Sequence, residues 1–308
     1  MTSAAVPGSR APGPSVAPVH VEAELLATRR LGAYRLLTFA AAGVAERFRP
    51  GAVVALSLGP ERLARRSFWV HRVRPVGGHG ASVDVVLAPG APGSGSAWLA
   101  AQPVGTRLPL TGPLGRPFAL PREPVDCLLV GVEASAAVLF PLAERLRERG
   151  CGVHLLLGAR DEAHLLSALE ARRTARSVTV VTADGSVGRR GDVGGALPER
   201  VARLDPDVLY AAGPLPTLHA VAAAAEAHGA WSQTAVEVPS PCATGLCHGC
   251  PLPVVGEDGA PREVRACTEG PVVRGDRVRW ADLTGDPWAG PAADPAPVRA
   301  AGPAGERP

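Results

Sequence analysis

Four cysteines near the C-terminal end of the chain are spaced in a way that suits metal binding. Cys242, Cys247 and Cys250 follow the pattern C-x4-C-x2-C, and Cys267 comes after sixteen intervening residues. Four thiolates with this spacing hold a plant-type 2Fe–2S cluster, in which two irons share bridging sulfides. The sequence therefore predicts that these four cysteines ligate one 2Fe–2S cluster.

A zinc site and disulfide bonds are the two alternative uses of these cysteines. Structural zinc sites usually take their cysteines from two short pairs, whereas this chain has one C-x2-C pair and one distant cysteine. No signal peptide is recognisable, and disulfides are rare in cytosolic proteins. Both alternatives therefore rank below the cluster. His248, between two predicted ligands, is expected to face solvent because four ligands are already present.

Composition and charge narrow the range of functions. The 308 residues include no lysine, and the net charge of +3 argues against a nucleic-acid-binding surface. No stretch of eighteen apolar residues is free of charge, so no membrane span is predicted. Residues 1–18 and 285–308 are rich in Pro, Ala and Gly and are expected to be disordered tails. Together these features predict a soluble cytoplasmic protein.

Two kinds of hydrophobic periodicity divide the remaining sequence, and they predict a mixed fold. Residues 19–121 contain short apolar runs separated by Gly and Pro, which is typical of an antiparallel barrel or sandwich, and a β-barrel is predicted. Residues 122–232 alternate strand-like and helical periodicity, which predicts a doubly wound, nucleotide-binding α/β domain. Residues 233–284 form the predicted cluster module. Cys127 and Cys151 begin strand-like runs and are predicted to be buried free thiols.

Four segments carry recognisable motifs. They are GPLGRPF at 112–118, TADGSVGRRGDV at 182–193, AAGP at 211–214 and VEVPSPCATGLCHGC at 236–250. These segments resemble GPLG-x-x-F, T-x-DGS-x-G-x-x-G-x-V, CGP and the sequence that leads into the cluster in one known family. That family is the electron-transfer subunit of the two-subunit dihydroorotate dehydrogenases, a branch of the ferredoxin–NADP reductase superfamily. The resemblance covers about residues 19–283.

The resemblance implies a function and a set of cofactors. In that family FAD lies between the barrel and the α/β domain, the α/β domain binds NAD, and the 2Fe–2S cluster faces a separate catalytic subunit. Electrons would pass from the flavin of a partner dehydrogenase, that for dihydroorotate in pyrimidine biosynthesis, through the cluster and FAD to NAD. No catalytic residue is predicted on this chain, because no Ser–His–Asp arrangement with a nucleophile elbow is recognisable.

The resemblance also assigns residues to FAD. The family's flavin motif reads Arg-Pro-x-Ser, and the corresponding run here keeps the arginine but ends in a tryptophan. The arginine would bind the flavin diphosphate, and a downstream glycine–serine loop would supply backbone donors. The tryptophan replaces a hydroxyl that would face the reactive ring nitrogen, so weakened FAD binding is expected. The predicted FAD-binding residues are Arg66, Ser67, Phe68, Trp69, Ala88, Pro89, Gly90, Gly95 and Ser96.

The expected NAD site departs further from the family. After the first strand of the α/β domain the family reads V-GGG-I-G-x-x-P, whereas residues 130–138 read VGVEASAAV and keep only Gly131. Glycines there let the backbone approach a pyrophosphate, and Glu133 would place a carboxylate nearby. Ala212 replaces the family's cysteine near the nicotinamide. The alternative function is a degenerate family member that keeps the cluster without using NAD, as a one-electron carrier or structural partner subunit.

Overall fold

The computed structural model describes residues 17–59, 61–76, 80–88 and 90–283. The predicted tails lie outside these residues, except for Ala17 and Pro18, and so does Pro89 of the predicted FAD site. None of the helices in these ranges combines the length and the apolar character that a membrane crossing needs.

Six antiparallel strands close into an N-terminal barrel. They are β1 Val19–Leu31, β2 Tyr34–Ala40, β3 Val53–Leu56, β4 Arg66–Val76, β5 Gly80–Leu87 and β6 Arg107–Leu114, with a short helix α1 Gly95–Ala100 between the last two. The strand order is β1-β2-β5-β4-β3-β6, and β6 pairs with β1 to close the barrel. Alternate side chains such as Leu25, Phe39 and Val85 fill the interior.

A seven-stranded sheet with helices forms the α/β domain. Its elements are β7 Asp126–Val132, α2 Leu139–Glu148, β8 Gly152–Ala159, α3 Ala168–Thr174, β9 Ser177–Thr182, β10 Arg189–Arg190, α4 Val193–Leu204, β11 Val208–Ala212, α5 Leu215–His228 and β12 Trp231–Ala235. The cysteine-containing region adds β13 Pro251–Val255, β14 Pro261–Arg265, α6 Ala266–Glu269 and β15 Val272–Arg274. The sheet order is β10-β9-β8-β7-β11-β12-β15, and only the last pairing in this order is antiparallel.

The predicted mixed fold is confirmed in its main parts. The barrel and the parallel sheet are both present, and Cys127 and Cys151 are buried free thiols as predicted. β6 and α4 are not recognisable from the sequence pattern, because Pro and Gly interrupt both. The spacing of apolar residues at 161–173 predicts one helix, but the structure has a short 3-10 helix, Glu162–His164, and then α3, with Ser167 in the left-handed region between them. The domain boundaries themselves remain predictions.

One hydrophobic core joins the barrel to the α/β domain. His71 of β4 is buried in it, with its ring edge against Phe140 of α2 and its Nδ1 atom 3.4 Å from the carbonyl oxygen of Ala137. The His71 Nε2 atom is 3.4 Å from the carboxylate of Glu170, which also pairs with Arg72. The barrel is therefore fixed against the loop that follows β7.

Candidate cofactor and cluster sites

The cluster loop, residues 241–250, holds three of the four predicted ligands, and α6 supplies the fourth. The Sγ atoms of Cys250 and Cys267 are 3.3 Å apart, and both side chains are buried. Cys242 is half-buried and Cys247 is exposed. The four thiols are thus arranged as a buried pair and an outer pair.

Backbone N–H groups point at the sulfur atoms of the outer pair. Cys247 and Thr244 each donate from the backbone to Cys242 Sγ at 3.4 Å, and Gly249 donates to Cys247 Sγ at 3.3 Å. Burial raises the pKa of the Cys242 thiol, but the donors from Cys247 and Thr244 lower it by more, to about 6. The loop therefore stabilises a thiolate, which is the form that binds a metal.

The tight path of the cluster loop depends on backbone in the left-handed region. Gly245 has a φ of 81°, and a Cβ there would lie 2.8 Å from Thr268 Cγ2, so glycine is required. Ala243 and His248 also have positive φ values, of 57° and 56°. His248 is exposed, as expected for a residue that is not a ligand.

An all-thiolate donor set suits either zinc or an iron–sulfur cluster. In the described part of the chain, no three His, Cys, Asp or Glu side chains gather around a position for one metal ion. Tetrahedral zinc needs four ligands around one centre, whereas a 2Fe–2S cluster divides four thiolates between two irons. A buried pair and an outer pair of thiols are compatible with a cluster whose ligands are divided between two irons.

Arg66, at the start of β4, packs against the beginning of α1. A Cβ at Gly95 would lie 3.2 Å from Arg66 Nε and 2.6 Å from Leu58 Cδ1, so only glycine fits there. Burial lowers the pKa of the Arg66 guanidinium from its ordinary value, but arginine stays charged in proteins. Ser94 Oγ accepts a hydrogen bond from Ala97 N at 3.0 Å and fixes the turn into α1. The result is a cation beside a closely packed glycine–serine loop.

The other predicted FAD residues are only partly brought together. Ser67 is exposed, and the half-buried residues are Phe68, Ala88, Gly90 and Ser96. A side chain at Gly90 would collide with the Ser94 hydroxyl, so the end of β5 lies close to the glycine–serine loop. Phe68, by contrast, packs against the barrel interior. Arg66, Gly90 and Gly95 therefore surround one region, while Phe68 points elsewhere.

Trp69 lies on the face of β4 that is turned towards the α/β domain. Its side chain is 9% exposed, and its Nε1–H donates to Glu237 Oε1 at 2.8 Å. The hydroxyl of Ser135 donates to the same carboxylate oxygen at 2.6 Å. Glu237 follows β12 and was not identified from the sequence, since a lone carboxylate separated from Trp69 by more than half the chain has no local pattern. We refer to Trp69, Glu237 and Ser135 as the interdomain triad.

The loop after β7 is closed by contacts within the α/β domain. A Cβ at Gly213 would lie 3.1 Å from Val132 Cβ, so Val132 packs directly on the turn after β11. Glu133 has a φ of 49°, and its carboxylate accepts a hydrogen bond from the backbone N–H of Arg160 at 3.3 Å. Gly131, the one glycine kept from the family pattern, lies against Ala136, where a Cβ would be 2.7 Å from the alanine Cβ. Its role here is close packing.

The DGS segment at 184–186 forms a turn whose polar groups are bonded locally. Asp184 Oδ1 accepts from Ser186 N at 2.9 Å and from Ser186 Oγ at 2.7 Å, and these bonds lower the pKa of Asp184. The backbone N–H of Glu162 donates to Ser186 Oγ at 2.8 Å. These local hydrogen bonds are those of a structural turn.

Comparisons with known proteins agree on the family. Residues 241–279 match the iron–sulfur cluster binding domain of dihydroorotate dehydrogenase B. The chain is 36% identical over 183 residues to the dihydroorotate dehydrogenase B (NAD(+)) electron transfer subunit of Shouchella clausii, covering 58% of this chain and 68% of that protein. The corresponding subunit of Geobacillus kaustophilus is 35% identical over 189 residues, covering 60% and 70%.

A solved structure shows the same fold at larger coverage. A chain of an NADH-dependent reduced ferredoxin–NADP oxidoreductase superposes with a TM-score of 0.73 and 24% identity, covering 85% of this chain and 91% of that one. At this identity the likeness concerns the fold, which is that of the ferredoxin–NADP reductases. From the two sequence relatives and the matching cluster domain, we conclude that this chain belongs to the family of dihydroorotate dehydrogenase B electron transfer subunits.

Proposed function

We propose that this chain carries electrons between a catalytic flavin dehydrogenase subunit and NAD, through a 2Fe–2S cluster and FAD. Its relatives are named as electron transfer subunits of an NAD(+)-linked dihydroorotate dehydrogenase, so the proposed partner is the subunit that acts on dihydroorotate in pyrimidine biosynthesis. When bound, the cluster supplies one-electron transfer and FAD links one-electron to two-electron chemistry. The protein's own residues hold and orient both groups.

Cys242, Cys247, Cys250 and Cys267 are the proposed cluster ligands. The 3.3 Å separation of the Cys250 and Cys267 sulfurs supports a shared iron for this buried pair. Cys242 and Cys247 would then share the second iron at the exposed side of the loop. The backbone donors to the Cys242 and Cys247 sulfurs are the hydrogen bonds that commonly tune cluster potentials.

Arg66 and the loop containing Gly95 are the proposed binding groups for the FAD diphosphate. The guanidinium is a planar donor that suits phosphate oxygens, and Gly95 leaves room for it beside the loop. Gly90 and Ser96 border the same region, Ala88 lies two residues before Gly90, and Ser67 and Phe68 follow Arg66 on β4. Trp69 is best placed for the ring end of the flavin, because it lies between the two domains.

The observation that carries the proposal is a direct contact between the two cofactor regions. The backbone N–H of Arg65 donates to the carbonyl oxygen of Pro241 at 2.9 Å. Arg65 precedes the proposed diphosphate-binding arginine, and Pro241 precedes the first proposed cluster ligand. The segments that would hold FAD and the cluster are therefore neighbours, and electron transfer requires the two groups to be near each other.

A second candidate function is favoured by the loop after β7. Val132 packs on Gly213, and the Glu133 carboxylate accepts a hydrogen bond from the backbone N–H of Arg160. The loop therefore has side chains at the place where the pyrophosphate of a bound nucleotide would approach the backbone. A chain with this loop could pass electrons between the partner and another acceptor without NAD. The cytoplasm is the proposed location in both cases, because thiolate ligands need a compartment in which thiols stay reduced.

The test is to purify the chain together with a catalytic dihydroorotate dehydrogenase subunit and to measure its cofactors. We expect iron and acid-labile sulfide in equal amounts, a flavin that is released as FAD, and co-elution of the two subunits. Stoichiometric zinc without sulfide would overturn the cluster assignment. Reduction of the flavin by NADH would favour the NAD-linked function, whereas reduction by dihydroorotate with the catalytic subunit, but not by NADH, would favour the second candidate.

A further inference from the structure

The α/β sheet has a topological switch point between β7 and β11. From β7 the chain continues to β8, β9 and β10 on one side, and later returns to β11 and β12 on the other. Gly131 near the end of β7 pairs with Ala212 at the end of β11, so the two strands end side by side. Ligands of open α/β sheets bind outside the carboxyl ends of the strands at such a point. We call this region the switch-point crevice.

The interdomain triad lies across this crevice. Ser135 belongs to the 3-10 turn that directly follows β7, and Glu237 follows β12 by two residues. Trp69 reaches them from the barrel, and the neighbouring His71 on β4 contacts Ala137 of the same turn. The large indole therefore lies between the barrel and the carboxyl ends of the strands, in the space that a ring bound at the switch point would need.

The hydrogen bonds of the triad hold the indole in that position. A single carboxylate oxygen of Glu237 accepts from Trp69 at 2.8 Å and from Ser135 at 2.6 Å. Hydrogen bonds to an ionised carboxylate are stronger than those between neutral groups. Trp69 is 9% exposed, so moving it would also return a large apolar surface to water.

We propose that Trp69, held by Glu237 and Ser135, is the residue that determines whether a nicotinamide ring can enter the switch-point crevice. In the bonded position Trp69 excludes the ring, and nicotinamide nucleotide binding requires the Trp69–Glu237 hydrogen bond to break. This inference rests on the proposed function, since it concerns access of NAD to the same flavin site. It goes further in naming a specificity residue on the barrel, outside the altered loop after β7.

The experiment measures NAD⁺ binding by titration calorimetry to the purified, cofactor-loaded chain and to variants. Trp69→Ser removes the indole, Trp69→Phe keeps a ring without the N–H donor, and Glu237→Ala removes the acceptor. Trp280→Phe is the matched control, because it also loses one indole N–H bond, to the Gly275 carbonyl oxygen, outside the crevice. Tryptophan fluorescence of the unaltered chain during the same titration reports whether the indole environment changes.

We expect weak NAD⁺ binding by the unaltered chain and at least about tenfold tighter binding by Trp69→Ser. A tenfold gain in affinity corresponds to one charge-assisted hydrogen bond that no longer has to be broken when NAD⁺ binds. Glu237→Ala should show a similar gain, Trp69→Phe a smaller one, and Trp280→Phe none. Unchanged affinity in both Trp69→Ser and Glu237→Ala, with thermal unfolding showing folded protein, would overturn the proposal. So would tight NAD⁺ binding by the unaltered chain with no change in tryptophan fluorescence.

The cofactor content of each variant distinguishes failure of the proposal about Trp69 from failure of the proposed electron-transfer function. Iron, sulfide and FAD are measured on the same samples as the titrations. Tighter NAD⁺ binding by Trp69→Ser in a chain that lacks cluster or flavin would support the role of Trp69 while contradicting the electron-transfer function. An unchanged NAD⁺ affinity in a chain with full cofactors would do the reverse.

Discussion

The cluster loop and the switch-point crevice use their polar atoms in opposite ways. In the cluster loop, backbone N–H groups donate to the sulfur atoms of Cys242 and Cys247. In the crevice, the side chains of Trp69, Glu237 and Ser135 bond to one another. One region is arranged to receive a ligand, and the other already satisfies its own hydrogen bonds.

This difference shows that family membership does not predict every cofactor site with the same certainty, because the sites depend on different features of the sequence. A cluster needs particular ligand atoms, so its site can be proposed from the type and spacing of four cysteines. A nucleotide site needs space for close approach of the backbone, and that space can be filled by a single larger side chain. The cluster ligands are therefore proposed from the motif itself, whereas the loop after β7 has to be judged from its contacts.

The largest effect is expected from removing one cluster ligand. Cys250→Ser should abolish most of the visible absorption and acid-labile sulfide, because Cys250 is buried beside Cys267 and no other thiol is placed to replace it among the described residues. Cys127→Ala is the control, since Cys127 is a buried core thiol of β7. Equal cluster content in both variants would contradict the proposed ligand set and weaken the contrast between the two regions.

The second largest effect is expected at the proposed binding site for the FAD diphosphate, which like the cluster loop is proposed to bind a cofactor. Arg66→Ala should weaken FAD binding by about tenfold to a hundredfold, the value of a charge-assisted contact to phosphate. Gly95→Ala should act in the same direction, because its Cβ would press on Arg66 Nε. FAD affinity is measured by fluorescence titration of the flavin-free protein.

A neighbouring arginine provides the control for that experiment. The guanidinium of Arg62 lies over the Trp98 ring, 5.6 Å from its centroid, and Arg62→Ala should change FAD affinity little. If Arg62→Ala and Arg66→Ala weakened binding equally, a general loss of positive charge would explain both results. The specific assignment of Arg66 would then be lost.

The four cluster ligands could be proposed from the sequence because three of these cysteines lie inside nine residues, and their assignment stays a prediction. The sequence also predicted the barrel and the parallel sheet, since their periodicities differ. It could not identify Glu237 as the partner of Trp69, because that contact depends on how two domains pack together. It missed β6 and α4 for a local reason, as their Pro and Gly residues hide the strand and helix patterns while tertiary contacts maintain the elements.

A smaller effect is expected from reopening the loop after β7. Replacing Val132, Glu133 and Ser135 together by glycine should raise NAD⁺ affinity several-fold, on the order of 1 kcal/mol, because it removes a carboxylate and the side chain that packs on Gly213. Glu133 already has a positive φ, so glycine suits its backbone. Titration calorimetry measures the gain. A folded triple variant that binds no better would show that the loop after β7 is not what limits NAD⁺ binding.

The smallest effect should come from the ion pairs that fix β4 against the α/β domain. Burial raises the pKa of Glu170, but the hydrogen bond from His71 and the charges of Arg72 and Arg74 lower it by more, so its pKa lies below the ordinary value. A lowered folded-state pKa means that the charged Glu170 stabilises the fold at pH values above the unfolded-state pKa of about 4.3. That stabilisation is lost as the pH falls through the folded-state pKa.

Glu170→Gln should therefore lower the free energy of unfolding by about 0.5 kcal/mol at pH 7 and by progressively less as the pH falls below about 4. Glu144→Gln is the matched control, because Glu144 pairs with the same arginine at 3.7 Å but is more exposed. Denaturant unfolding at several pH values measures both. If Glu170→Gln also increases NAD⁺ affinity, the closure of the crevice depends on how firmly β4 is held. If the free energy of unfolding falls without any change in NAD⁺ affinity, the hydrogen bonds of the interdomain triad are sufficient to keep Trp69 in place. The contrast between the crevice and the cluster loop then depends on those three side chains alone.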